Sequence, residues 1–102
     1  MKELTEAMHD FVRAKGWYEK DSQRPQTPRN LAISLALEAA EILEHFQWHD
    51  ETKDKDELAS ELADVALYLL QLASISGIDL EQAILNKLDT NASRIWDAGT
   101  EN

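Results

Sequence analysis

Cysteine is absent from the chain, which excludes a disulfide framework, a thiolate metal site and a cysteine nucleophile together. Positive charge is scarce: ten Lys and Arg stand against twenty Asp and Glu, a net charge of −10 over 102 residues. Such a chain repels DNA, RNA and anionic membrane surfaces, so neither nucleic acid nor membrane is an expected partner. No apolar run approaches the roughly 20 residues of a membrane span. Met1-Lys2-Glu3-Leu4-Thr5-Glu6 lacks the basic and apolar regions of a signal peptide. Pro and Gly, at two and three, are too few for a linker-rich chain. These deficits describe one acidic domain over residues 1–102, expected in the cytoplasm.

What remains is helical periodicity. Leu4, Ala7, Met8, Phe11 and Val12 form one apolar stripe on a first helix, which Gly16 is placed to end. The one long loop runs from Trp17 to Thr27, and Thr27-Pro28 reads as the N-cap and first residue of a second helix over about 28–47. Leu31, Ile33, Leu35, Leu37, Ile42, Leu43 and Phe46 make that helix apolar nearly all round, the pattern of a helix with neighbours on several sides. Asp54 and Glu57 have capping-box spacing before a third helix that Gly77 stops. Asp79 and Gln82 open a fourth, with a stripe from Ile84 through Leu88 to Ile95. The expected fold is all-α, a compact four-helix bundle. A bundle of this size with such apolar helices is expected to assemble as a homo-oligomer.

The two most apolar helices carry acids at their centres, Glu38 and Glu41 on one, Glu61 and Asp64 on the other. Residues three apart lie on one helix face about 5 Å from each other. Antiparallel packing would set the two pairs opposite one another. An i, i+3 acid pair is ordinarily a solvated face. Here, however, both pairs are embedded in Leu, Ala, Ile and Val, and no Lys or Arg stands one turn away. Unpaired carboxylates gathered in apolar surroundings suffer desolvation and mutual repulsion, and a cation relieves both. Four oxygen donors without His or Cys select a hard ion, Mg²⁺ or Mn²⁺. A ferritin-like di-iron site needs a Glu-x-x-His on each of two helices, and this chain has one, Glu6 with His9. His9, His45 and His49 read as surface or rim residues.

Glu38-x-x-Glu41 followed at a distance by Glu61-x-x-Asp64 resembles the metal motif of the MazG-like all-α nucleoside triphosphate pyrophosphohydrolases. Pro28-Arg29-Asn30-Leu31, Phe46-Gln47-Trp48, Glu61-Leu62-Ala63-Asp64-Val65 with Tyr68, and Lys87-Leu88-Asp89-Thr90-Asn91 are similar, in order and spacing, to the dCTP pyrophosphatase branch. The resemblance spans about residues 4 to 96. It implies Mg²⁺-dependent hydrolysis of a (deoxy)nucleoside triphosphate to the monophosphate and pyrophosphate, with a dCTP-like pyrimidine preference, in a homodimer or homotetramer.

Carried over residue by residue, it implies Glu38, Glu41, Glu61 and Asp64 as metal ligands. Lys87 and Asn91, with Arg94 as an addition, would contact phosphates or sugar. Trp48 and Tyr68 would line the base pocket and Trp17 would close it. Three departures lie at the base pocket: the long Trp17–Thr27 loop, Met8 in place of a polar residue, and Ile95-Trp96 after Arg94. The rival from another class is a non-catalytic acidic helical module whose metal holds an oligomer or a partner interface together.

Overall fold

The computed structural model describes residues 1–94. Four helices follow one another, α1 (Lys2–Ala14), α2 (Pro28–Glu44), α3 (Lys55–Ile75) and α4 (Leu80–Ser93), and there is no strand among the described residues. Ile95 and Trp96, expected in the fourth stripe and beyond it, lie outside the described residues.

The helix ends follow from local chemistry. Thr27 Oγ1 accepts from the Asn30 amide at 3.1 Å and Pro28 occupies the first helical position, where its missing N–H costs nothing. Asp54 and Asp79 cap α3 and α4 by accepting from the Glu57 and Gln82 amides at 2.9 and 3.1 Å. The capping box at α3 is half made. Thr52 Oγ1, not the Glu57 carboxylate, accepts from the Asp54 amide at 3.3 Å, which leaves Glu57 available elsewhere. α1 and α3 close on Gly16 (φ 74°) and Gly77 (φ 72°). Each makes the paired bonds of a Schellman turn, Gly16 N to Arg13 O with Trp17 N to Val12 O, and Gly77 N to Ser74 O with Ile78 N to Ala73 O.

α2 is shorter than its periodicity predicts, ending at Glu44 instead of about residue 47. The His45 and Phe46 amides bond three residues back, to Ile42 O and Leu43 O, tightening the last turn. The His45 side chain is then turned toward α3.

Packing is uneven. α2 and α3 lie together along much of their length, α1 rests on α3, and α4 touches only the end of α3. Met8 and Val12 from α1, Leu31 from α2, and Leu70 and Ala73 from α3 are the buried apolar residues. The four helices do not close into a compact bundle within one chain. The radius of gyration is 16.7 Å, against about 13 Å for a compact domain of 100 residues. α4 buries none of its residues fully, and Ile84, Leu85 and Leu88 stay exposed, as do Ile33, Leu37 and Leu43 of α2. The apolar faces that the sequence assigns to a core are present, but one chain supplies too few partners for them.

Candidate active site

The facing surfaces of α2 and α3 bring carboxylates together. Glu38 lies close enough to the other three acids that its carboxyl is pushed up to about 7 from a usual 4.5. The causes are a hydrogen bond with the Glu41 carboxyl, then burial, then the charges of Glu41, Asp64 and Glu61. Glu38, Glu61 and Asp64 are half-buried and Glu41 is exposed.

Because the folded state holds the Glu38 proton more tightly than the unfolded chain, metal-free stability is expected to fall as pH rises from 4.5 to 7. Urea unfolding across that range, repeated with saturating divalent cation, checks this. The cation should abolish the decline, and Glu41→Gln should flatten it. A metal-free protein that gains stability over the same range would show that the four acids do not repel one another.

Glu61 has a second neighbour, and here the reading of His45 as a surface or rim residue is corrected. His45 Nε2 contacts Glu61 Oε1 at 3.0 Å, and its Nδ1 contacts Thr52 Oγ1 at 2.7 Å. A carboxylate oxygen only accepts, so His45 Nε2 carries a proton and donates it to the hydrogen bond with Glu61. Both ring nitrogens are then engaged, and His45 orients Glu61. Glu57 and Glu61 offer carboxylate oxygens within 4.8 Å of each other and of a His45 ring nitrogen, with Glu57 freed by its unmade capping bond. His9 is likewise no rim residue, being bonded to Tyr18 at 2.6 Å and Ser74 at 2.7 Å.

This donor set fits a hard divalent cation. Glu61 Oε2 is buried with no partner among the described residues, which is costly for an anionic oxygen unless a cation meets it. The crowding that raises the Glu38 carboxyl is relieved by the same charge.

Beside the acids lies a cleft of about 820 Å³. Met8, Phe11, Val12 and Leu31 give it apolar walls, while Glu38, Asp64 and Tyr68 line it where it meets the carboxylates. Trp17 lines it from the loop, held edge-on to Phe11 at 5.7 Å between ring centroids, with the Arg24 guanidinium 5.2 Å over its ring. The structure therefore gathers Trp17, Tyr68, Glu38 and Asp64 around one space. It does not bring Trp48, Lys87, Asn91 or Arg94 to the cleft of the same chain. Trp48 is 81% exposed in the connection between α2 and α3, while Lys87 stands in the middle of α4, Asn91 in its last turn and Arg94 just beyond its end.

The model of the MazG-like family matches residues 33–101, which takes in both acid pairs. The chain belongs to the MazG-like family. The dCTP pyrophosphatase 1 of Mus musculus is 39% identical over 85 residues, covering 74% of this chain and 50% of that protein. The Homo sapiens dCTP pyrophosphatase 1 is 35% identical over the same length and shares. The chain thus spans about half the length of the curated relatives it matches. A solved structure of a pyrophosphatase from Archaeoglobus fulgidus is 34% identical with a TM-score of 0.76, covering 89% of this MazG-like chain and 87% of that one. A dATP/dGTP diphosphohydrolase of Salmonella phage PMBT28 is 47% identical over 38 residues, 37% of this chain and 13% of that protein.

Proposed function

We propose that this MazG-like chain is a nucleoside triphosphate pyrophosphohydrolase, converting (deoxy)nucleoside triphosphates to the monophosphate and pyrophosphate. Its expected cation is Mg²⁺, with Mn²⁺ as a substitute. The observation that carries the reading is the continuity of the apolar cleft with the carboxylate cluster through Glu38 and Asp64. A nucleotide is itself an apolar base joined to a polyanion, and a metal-loaded acid cluster next to an apolar pocket is its complement. The relatives named for dCTP, and the one named for dATP and dGTP, support the substrate class. The similarity to dCTP pyrophosphatases favours a pyrimidine preference.

Glu38, Glu41, Glu61 and Asp64 are the proposed metal ligands. A bound cation neutralises phosphate charge and lowers the pKa of a coordinated water. Tyr68 and Trp17 flank the base across the cleft. Lys87, Asn91, Arg94 and Trp48 reach substrate only from another copy, and the uncovered apolar faces of α2 and α4 support a homodimer or homotetramer. A Lys or Arg brought to the phosphates would stabilise charge on the leaving pyrophosphate.

Contrary to the expectation that no segment approaches a membrane span, α3 is long and apolar enough to cross one by length and composition. Glu61 and Asp64 at its centre would be costly in lipid, and its packing on α2 supports a helix that stays out of the membrane.

Incubation with Mg²⁺ and a panel of standard nucleoside triphosphates, with product identification, tests the reading. Monophosphate and pyrophosphate are the expected products, lost on chelation. A folded, metal-binding oligomer without turnover on any nucleotide would instead establish the non-catalytic module.

A further inference from the structure

One hydrogen-bond chain joins the long loop to α1 and α3, and it fixes the orientation of both carboxamides in it. Gln26 Nε2 donates to the Arg24 carbonyl at 2.6 Å, so Gln26 turns its oxygen to Gln71, whose Nε2 donates to it at 2.7 Å. The second Nε2 hydrogen of Gln71 goes to the Tyr18 hydroxyl at 3.2 Å. The Tyr18 hydroxyl also shares a hydrogen bond with His9 Nδ1 at 2.6 Å, and His9 Nε2 shares one with Ser74 Oγ at 2.7 Å. Burial, with a contribution from the Arg13 charge and against that of Asp10, lowers the His9 pKa. That keeps the ring neutral. A carbonyl that can only accept stands at the start of the chain, so the Gln71 carboxamide cannot turn over without losing its 2.7 Å bond to Gln26 and setting oxygen against oxygen.

The consequence falls on the remaining polar atom. Gln71 is 3% exposed and lines the cleft, and its Oε1 has no partner among the described residues. Asp64, Tyr68 and Gln71 follow at four- and three-residue steps along one face of α3 and all line the same cleft. Gln71 lies about 10 Å along the helix axis from Asp64. A nucleotide with phosphates at the acids and its base under Trp17 would bring the far edge of the base to Gln71.

We propose that Gln71 is a specificity-determining residue whose locked carboxamide oxygen accepts a hydrogen bond from the exocyclic amino group of the bound base. This inference rests on the reading of the cleft as a nucleotide site. An amino group pairs with this acceptor, which an empty cleft leaves to water. A keto group at the same position sets oxygen against oxygen and leaves both unpaired.

The test is kcat/KM for dCTP, for dUTP and for the deoxynucleoside triphosphate of pyrimidin-2-one, which lacks the 4-amino group and adds no donor. Wild-type enzyme is expected to favour dCTP over both by about 10- to 100-fold. Gln71→Leu should bring the three within about threefold of one another, chiefly by losing dCTP activity. Gln26→Met frees the carboxamide to rotate, so it should lower the preference while Gln71 is still present. That second variant decides the matter if Gln71→Leu does not fold. A wild-type ratio near one, or a preference unchanged in a folded variant, overturns the proposal. Wild-type protein that cleaves none of the nucleotides overturns the parent reading instead, and is seen without any variant.

Discussion

Glu61→Gln is expected to lower pyrophosphate release by more than about 100-fold while leaving the metal-free protein folded. The two oxygens of Glu61 have different surroundings. Oε1 receives the His45 Nε2 proton at 3.0 Å, and Oε2 is buried without a partner among the described residues. An amide in the same place keeps an oxygen for His45. It sets an NH₂ group where the cation needs an anionic oxygen, and it removes one of the charges acting on Glu38. The metal-free melting temperature should therefore not fall, even though Mg²⁺ affinity does. His45→Leu gives the complementary result, an Mg²⁺ affinity weaker by about 10- to 100-fold. Much of its activity should return at saturating metal, because the ligand remains and only its orientation is lost. Pyrophosphate release measured against Mg²⁺ concentration separates the two variants. Wild-type metal dependence in Glu61→Gln would place the cation elsewhere.

Why one part of this site was legible in the sequence and another was not is a matter of distance along the chain. The helix ends are local events. Thr27-Pro28, Asp54, Asp79, Gly16 and Gly77 act on amides and carbonyls within four residues, and all five terminate helices where their spacing predicts. The two acid pairs are equally local, each a three-residue step on an apolar helix. His45 has its partner sixteen residues away on another helix, and Thr52 in the intervening connection. Nothing within one turn of His45 announces that contact, and it accompanies the early end of α2. Gln71 did carry a signal, a lone amide inside Leu69-Leu70-Gln71-Leu72. A polar side chain in a buried apolar run must find partners, and these came from α1 and the long loop. The bundle was the least legible feature. Periodicity tells which faces are apolar, not whether they meet within one chain, and α2 and α4 leave theirs uncovered.

Leu31→Ala is expected to destabilise the protein by about 2–5 kcal/mol. Leu31 is only 2% exposed and belongs to a buried apolar set otherwise made of Met8, Val12, Leu70 and Ala73. With so few buried residues, the cavity has little surrounding packing that can collapse into it without opening the α1–α3 contact. Domain stabilities of about 5–15 kcal/mol make this a large fraction of the total. Leu31 also lines the cleft, so the loss should appear in nucleotide affinity as well as in urea unfolding. Leu37 on the same helix is the informative contrast, since it is 64% exposed in the single chain. If the chain works alone, Leu37→Ala should change stability by less than about 0.5 kcal/mol at any protein concentration. If a second copy covers α2, Leu37→Ala should weaken assembly, and its effect on the melting temperature should be largest at high protein concentration and shrink as dilution dissociates both proteins. Leu31→Ala acts inside the protomer and should be costly at every concentration. Unfolding both variants over a range of protein concentrations therefore separates the core that one chain builds from the core that needs another.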